Sequence, residues 1–249
     1  MGRCGILNKI LFITLIGTVV CGLGTASGAV IAVSFRKSNA VIMSSIMAMA
    51  GGLMLSVVTF DLIPEAIHLG GMILTLIGIF IGVLFVTLLD IFLPDTALLK
   101  KYGKNVKTAL LLGIGLAAHN FPEGLAIGSG FMGGKELGLE LALVIGLHDI
   151  PEGAAVASPL MQSRLGKLKI ILLTALTALP TAIGAYFGAV LGDISKTFIT
   201  ICISFAAGTM LYIVCGELIP QSKNLSKGVF STISIIVGIV LGLLLISML

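Results

Sequence analysis

His119-Asn120-Phe121-Pro122-Glu123-Gly124 is repeated further along the chain as His148-Asp149-Ile150-Pro151-Glu152-Gly153. In each copy a His and a Glu stand four positions apart, which places both on one face of a helix about one turn from each other. The residue after each His adds a side-chain oxygen roughly 100° around the helix. Two such helices packed together can enclose a cation between an imidazole and a carboxylate from each copy.

The rest of the chain is far too apolar for a soluble domain. Its 249 residues are 57% hydrophobic and only 10% charged, and the mean hydropathy is +1.18. Apolar runs long enough to cross a bilayer core of roughly 30 Å predict eight membrane-spanning helices in a single all-α transmembrane domain over residues 1–249. The predicted spans cover about 10–34, 39–63, 71–93, 108–132, 141–162, 170–191, 198–219 and 228–249.

The two hexapeptides place ionisable side chains inside predicted membrane spans. Each ionisable side chain within a membrane span costs several kcal/mol, and such residues usually mark a transport or binding site. Four of them at matched spacing on neighbouring spans 4 and 5 therefore predict function rather than structure. The Pro before each Glu removes a backbone N–H and is expected to bend the helix beside the ligands.

Most of the basic residues fall in alternate loops. The loops after spans 1, 3, 5 and 7 carry Arg36, Lys37, Lys100, Lys101, Lys104, Lys107, Arg164, Lys167, Lys169, Lys223 and Lys227. The positive-inside rule makes these loops cytoplasmic and puts both termini on the extracytoplasmic side. Arg3 and Lys9, before span 1, favour the opposite orientation for that span, so the predicted orientation follows the larger number of basic residues.

An internal repeat relates span 2 to span 7. Residues 50–65 superpose on residues 206–221 after a shift of 156 places, with Asp61 or Glu217 before a Leu-Ile-Pro triplet in both. Spans 2 and 7 run in opposite directions through the membrane, so spans 1–3 and 6–8 are predicted to be inverted repeats that flank spans 4 and 5. Inverted repeats with a site near the midplane are typical of secondary transporters.

Together these features resemble the ZIP (Zrt/Irt-like) divalent metal transporters, particularly the compact bacterial and archaeal kind. The resemblance rests on the paired hexapeptides, the eight spans and the Leu-Ile-Pro-Glu end of span 2. It implies a 3+2+3 arrangement of spans, a possible homodimer, and transport of Zn²⁺, Fe²⁺ or similar ions toward the cytoplasm. It also implies an integral protein of a prokaryotic cell membrane whose partners are metal ions and the lipid bilayer, with no nucleic acid.

The resemblance assigns ligands by motif position. Those implied for the transported metal are His119, Glu123, His148 and Glu152. An adjacent second site is implied for Asn120 and Asp149, which would share the two glutamates. Many family members complete that second site with a Glu in span 6, where this chain has Thr181. We therefore expect one principal ion.

The types of ligand restrict the range of possible metals but do not identify one metal. Imidazole and carboxylate suit Zn²⁺, Fe²⁺, Mn²⁺, Co²⁺ and Cd²⁺, and intrinsic affinity ranks Zn²⁺ above Fe²⁺ and Mn²⁺. The metal is the substrate, and no cofactor is expected. The four cysteines show no CxxC spacing, so neither a structural zinc site nor a disulfide framework is predicted.

Two other functional classes use the same residues. An intramembrane metalloprotease would need His-Glu-x-x-His on one helix, and a di-iron enzyme would need Glu-x-x-His pairs; the sequence contains neither arrangement in these spans. A proton-linked exchanger remains open, because Glu123 and Glu152 could relay protons, although it accounts less well for His119 and His148. The favoured interpretation is a metal permease and not an enzyme.

Overall fold

The computed structural model describes residues 3–35, 40–92, 105–161, 163–191, 195–226 and 228–247, with the side chains of residues 3–5, 105–109 and 148 outside the description. Every regular element in these ranges is helical. Seven of the described helical segments are long and apolar enough to cross a membrane. The prediction of an all-α polytopic membrane protein is confirmed.

The helices follow the predicted spans in order. They are α1 Arg3–Ser34, α2 Ala40–Val57, α3 Ile63–Phe92, α4 Asn105–Gly133, α5 Lys135–Met161, α6 Lys167–Ala175, α7 Leu179–Leu191, α8 Lys196–Ile213, α9 Ile219–Leu225 and α10 Val229–Ser247. A 3₁₀ turn joins α6 to α7 within span 6, and π-helical turns join α2 to α3 and α8 to α9. Span 7 therefore continues to Leu225, beyond its expected end at about residue 219.

One continuous segment contains two of the predicted spans. Ala40–Phe92 has 53 residues, which as a straight helix would measure about 80 Å, far more than a bilayer core. Inside α3, Gly71 adopts φ 79° and ψ 166°, a conformation that favours glycine because it has no Cβ. The helix is interrupted there, between predicted spans 2 and 3. The seven segments are thus consistent with eight spans.

The spans pack as four close pairs. In each pair a Cβ added to one glycine would overlap a backbone carbonyl oxygen of the neighbouring helix. These contacts join Gly28 to Ile150 (spans 1 and 5), Gly124 to Thr181 (spans 4 and 6), Gly82 to Phe205 (spans 3 and 7) and Gly238 to Met49 (spans 2 and 8). Lipid offers no hydrophobic force between helices, so such close backbone packing is a main source of their association.

Each of these pairs contains a Gly-x-x-x-Gly motif. The motifs are Gly24/Gly28, Gly124/Gly128, Gly184/Gly188, Gly78/Gly82 and Gly238/Gly242. Within a pair the residue numbers rise together: Gly24 lies against Gly146, and Gly28 lies against Ile150. Paired helices therefore run in the same direction, as two odd-numbered or two even-numbered spans should.

The pairing has the symmetry expected of an inverted repeat. Exchanging span 1 with 6, 2 with 7, 3 with 8 and 4 with 5 converts the 1–5 pair into the 6–4 pair and the 2–8 pair into the 7–3 pair. The π-helical turns Val58–Leu62 and Val214–Leu218 are also separated by the 156-place shift of the sequence repeat. These contacts support the 3+2+3 arrangement, which stays a prediction.

A large cluster of buried apolar side chains closes one end of the bundle. It includes Met47 of α2, Leu112 of α4, Leu160 of α5 and Ile170 of α6, all in the halves of their spans nearest Gly166. We call this cluster the apolar plug and this end of the molecule the Gly166 end. The opposite end, where Gly71 lies, is the Gly71 end.

Candidate metal site

The two hexapeptides lie inside α4 and α5, and both helices continue through their prolines. The described parts of spans 4 and 5 pack against each other, so the polar faces of the two motifs can meet in the interior. Spans 1 and 6 flank the pair, because span 1 packs on span 5 and span 6 packs on span 4. The hexapeptides are therefore enclosed by helices from both predicted repeats.

Three side chains converge on one point between the two helices. His119 Nε2 lies 3.1 Å from Glu123 Oε1 of the same helix and 3.3 Å from Glu152 Oε1 of the other. One ligand atom from each residue lies within 4.8 Å of the other two. Among the described residues, this is the group of His, Cys, Asp and Glu side chains arranged to hold a metal ion.

The distances match a tetrahedral metal. Bonds of about 2.0–2.2 Å from zinc to nitrogen or carboxylate oxygen give a tetrahedron with edges of roughly 3.3–3.6 Å. The His119 contacts of 3.1 and 3.3 Å are close to two such edges. One Nε2 atom carries at most one hydrogen, whereas a metal ion can satisfy it and both carboxylates together.

The burial of these side chains favours the binding of a cation. His119 is 1% exposed and Glu152 is 2% exposed, while Glu123 is partly buried. Two carboxylates that approach one point in a low-dielectric interior repel each other and lose much of their hydration. A divalent ion bound by Glu123 and Glu152 would neutralise both charges.

The other predicted ligands lie beside this cluster. Asn120 is buried, and its Nδ2 donates a hydrogen bond of 2.9 Å to the Thr177 carbonyl in the 3₁₀ turn of span 6. Asp149 is fully buried and packs against Gly24 of span 1. Thr181, which replaces the span 6 carboxylate, is fully buried as well. His148 is on α5, and its side chain lies outside the described part of the molecule.

The structure thus brings together part of the predicted set. His119, Glu123 and Glu152 form the three-ligand group, and Asp149 is not a member of it. Asn120 contacts span 6 and Asp149 contacts span 1. The second site, in which Asn120 and Asp149 would share Glu123 and Glu152, stays a prediction.

A cavity of about 680 Å³ leads from the Gly71 end to the cluster. Its inner wall includes His119, Pro122 and Glu123, and its outer wall includes Leu69 and Leu137 near the ends of their spans. The apolar plug lies on the other side of the cluster, toward Gly166. The site is therefore accessible from the Gly71 end in this conformation.

Asp61 of span 2 lines this cavity, whereas Glu217, the equivalent acid of the repeat, does not. Asp61, on a π-helical turn, is in the cavity wall with Glu65 and Glu140. Glu217 is not among the lining residues, and it accepts a hydrogen bond of 3.3 Å from Gln221 Nε2. The repeat distinguishes Asp61 in the sequence, and Glu65 belongs to the Leu-Ile-Pro-Glu end of span 2. Glu140 carries no such signal, because it stands near the start of a span.

Comparison with known proteins places these features in a family. A family model described as ZIP Zinc transporter matches residues 99–249, which contain both hexapeptides. The zinc transporter GufA of Myxococcus xanthus is 35% identical over 173 residues, or 68% of this chain and 68% of GufA. The zinc transporter ZupT of Enterobacter sp. (strain 638) is 32% identical over 247 residues, or 94% of this chain and 96% of ZupT. The zinc transporter ZupT of Stenotrophomonas maltophilia (strain R551-3) is 29% identical over 247 residues, or 91% of this chain and 92% of that protein.

Proposed function

Because this chain belongs to the ZIP zinc transporter family, we propose that it carries Zn²⁺ toward the cytoplasm through a site formed by His119, Glu123 and Glu152. Membership makes it a membrane transporter of divalent metal ions and not an enzyme. The observation that carries the proposal is the convergence of these three ligands on one buried point at the inner wall of an open cavity.

The ligand set explains how the site would select its cargo. Glu123 and Glu152 supply two negative charges, so a bound divalent ion forms an uncharged unit within the bundle. His119 supplies a nitrogen, which transition metals bind well and Mg²⁺ and Ca²⁺ bind poorly. Zn²⁺ is the principal cargo, while Fe²⁺, Mn²⁺, Co²⁺ and Cd²⁺ are chemically compatible alternatives. His148 is proposed from the sequence as a further ligand.

The distribution of charge supports the direction. Described basic residues near the Gly166 end include Arg164, Lys167, Lys169 and Lys223, and the positive-inside rule makes that end cytoplasmic. The cavity then faces the outside, and the apolar plug separates the site from the cytoplasm. Both termini would be extracytoplasmic, and the membrane would be the cell membrane of a prokaryote. The possible homodimer stays a prediction.

Transport requires a second conformation in which the plug opens and the cavity closes. The symmetric helix pairing supports such an exchange, because the two repeats could interchange their positions relative to spans 4 and 5. Movement of helices as pairs would preserve the close glycine contacts and change the contacts across the plug.

The direct test is uptake of radioactive zinc into proteoliposomes that contain the purified protein. We expect saturable Zn²⁺ uptake above that of protein-free liposomes, with Mg²⁺ and Ca²⁺ unable to compete. Competition by Fe²⁺, Mn²⁺, Co²⁺ and Cd²⁺ ranks the secondary cargoes. If Zn²⁺ binds tightly while uptake stays at the level of empty liposomes, the transport proposal is wrong and a receptor function is favoured.

Asp61 provides a test of the entrance. Because Asp61 lies in the cavity wall, the Asp61→Asn variant removes a negative charge that concentrates cations near the site. We expect the KM for zinc to rise about three- to tenfold at low ionic strength and the difference to shrink at high salt, where charges are screened. Uptake kinetics at two salt concentrations provide the measurement.

The matched control is Glu217→Gln, at the equivalent place of the repeat but outside the cavity wall. It should leave the salt dependence of the zinc KM unchanged. Equal salt-dependent changes in the two variants would show that the observed cavity is not the entrance.

A further inference from the structure

We propose that the cavity in front of the zinc site binds a linear polyamine, which is a chain of ammonium groups joined by methylene segments, and that this ligand competes with zinc for entry. The inference rests on the proposed function for the competition alone, since binding of the polyamine can be measured without transport. The proposed binding space lies between Glu123 and the Gly71 end, and the ligand in it is an organic cation.

The cavity is much larger than a metal ion needs. Its volume is about 680 Å³, whereas one water molecule has a share of about 30 Å³ in the liquid. It extends from His119 and Glu123 at the inner wall to Leu69 and Leu137 near the Gly71 end. A ligand made of several linked groups therefore fits in the space through which the ion would pass.

The wall of the cavity carries several acidic side chains. Asp61, Glu65, Glu123 and Glu140 line it, and no lysine or arginine is among the described residues of the wall. Asp61 and Glu123 are partly buried, while Glu65 and Glu140 are exposed. A cavity that has one sign of charge between low-dielectric walls concentrates ions of the opposite sign. The ligand that complements this wall is therefore a cation.

The acids lie at different depths in the cavity. Glu65 and Glu140 are each about one helical turn further in than the leucines near the Gly71 end. Asp61 lies about one turn below Glu65, and Glu123 is at the inner wall beside His119. The carboxylates are thus spread along the cavity, with a step of roughly 5.4 Å on span 2. One compact ion cannot contact all of them, whereas a chain with several separated charges can.

The rest of the wall is mainly aliphatic. It includes Leu62 of span 2, Leu141 and Val144 of span 5 and Ile203 of span 7. Such a surface does not stabilise a hydrated ion, whereas each methylene group buried against it raises the affinity of a ligand about fourfold. A wall that combines spaced acids with aliphatic side chains therefore matches a ligand that combines spaced ammonium groups with methylene segments.

Linear polyamines have this combination of groups. Their amines are charged at neutral pH, because an alkylammonium such as that of lysine has a pKa of about 10.4. A few methylene groups separate consecutive charges, which gives a spacing comparable with one helical turn. A terminal ammonium that reaches Glu123 takes the carboxylate that zinc would need, so the polyamine and zinc exclude each other.

Calorimetric titration of the full-length protein in detergent micelles tests the binding without zinc. Spermine should bind roughly tenfold more tightly than spermidine, which has one charge fewer, and both affinities should fall as salt increases. Two comparison ligands separate the contributions of charge and chain. Hexaamminecobalt(III) has the charge of spermidine without methylene groups, and n-heptylamine has a similar chain with a single charge. Each should bind at least about tenfold more weakly than spermidine.

Glu140→Gln and a matched control locate the ligand. Glu140 lines the cavity, whereas Glu136, an exposed acid one turn earlier on the same helix, is not among the lining residues. Glu140→Gln should weaken spermine binding about three- to fivefold, and Glu136→Gln should leave it unchanged. Monodisperse elution and an unchanged melting temperature show that both variants are folded. Equal effects in the two variants, including no effect in either, would place spermine outside the cavity and overturn the proposal.

Zinc uptake at a buffered free zinc concentration separates this inference from the proposed function. Spermine added to proteoliposomes of zwitterionic lipid should raise the KM for zinc and leave the maximal rate unchanged. Normal zinc uptake without spermine binding would overturn this inference and leave the proposed function intact. Spermine binding in the expected order without zinc uptake would support the polyamine site and contradict the proposed function. Binding of hexaamminecobalt(III) or n-heptylamine as tight as that of spermidine would overturn the polyamine proposal.

Discussion

Replacing Glu152 by glutamine is expected to reduce zinc affinity and uptake by roughly 10²–10³-fold. The change keeps the shape of the side chain but removes one of the two charges that neutralise the ion, so the bound unit becomes a buried cation. Removing one partner of a buried charge pair costs about 3–5 kcal/mol, and each 1.4 kcal/mol is about tenfold in affinity. Equilibrium binding of zinc and initial rates in proteoliposomes measure the two effects.

Glu152→Gln should still fold, so its loss of zinc binding and uptake can be attributed to the site itself. Glu152 Oε1 lies 3.3 Å from His119 Nε2 and shares that atom with Glu123, so glutamine relieves repulsion between two buried carboxylates. We expect its melting temperature without metal to equal or exceed that of the wild type, while the stabilisation by added zinc is lost.

Glu136→Gln is the matched control, because Glu136 is an exposed acid at the start of the same helix. It should bind and transport zinc as the wild type does. Normal uptake by Glu152→Gln would move the transport path away from spans 4 and 5.

The convergence of His119, Glu123 and Glu152 could be predicted from the sequence, because it depends on the spacing of residues within each hexapeptide. Four-residue spacing fixes His119 and Glu123 on one face of α4, and the repeated motif indicates an equivalent face on α5. The burial of ionisable groups in apolar spans then requires that the two faces meet. The observed group of His119, Glu123 and Glu152 follows from these constraints, although its role as the transport site stays a prediction.

The surroundings of Asn120 and Asp149 could not be predicted in the same way. Helical geometry states that each points roughly 100° away from its neighbouring His, but not which helix lies there. In the structure, the neighbour of Asn120 is the 3₁₀ turn of span 6, and the neighbour of Asp149 is span 1.

The turns within spans were also outside the reach of hydropathy. An apolar run indicates how many residues cross the membrane, but it does not distinguish a regular α-helix from a helix that contains a π-helical turn. Asp61 and Glu217 mark the two π-helical turns in hindsight, because each precedes the same Leu-Ile-Pro triplet. The break at Gly71 is explained by its positive φ, whereas the adjacent Gly70 gives the same sequence signal without that conformation.

Replacing Gly28 by valine is expected to disrupt the pairing of spans 1 and 5 and to reduce zinc uptake more than tenfold. A Cβ at Gly28 would overlap the Ile150 carbonyl oxygen and stand 2.8 Å from the Ala154 nitrogen, so the backbones must separate. Overpacking of this kind typically costs about 1–3 kcal/mol, and the displaced residue lies between Asp149 and Pro151 in the second hexapeptide. The measurements are the melting temperature, the yield of monodisperse protein and uptake per folded molecule.

Gly22→Val separates this effect from a general intolerance of span 1 to larger side chains. A Cβ at Gly22 meets nothing within 4 Å, yet the two glycines share a helix and undergo the same chemical change. We therefore expect Gly22→Val to fold and transport like the wild type. Equal damage by both substitutions would attribute the loss to helix propensity or membrane insertion. Damage confined to Gly28 would show that the Gly-x-x-x-Gly contact holds span 1 against the helix that carries Asp149 and Glu152.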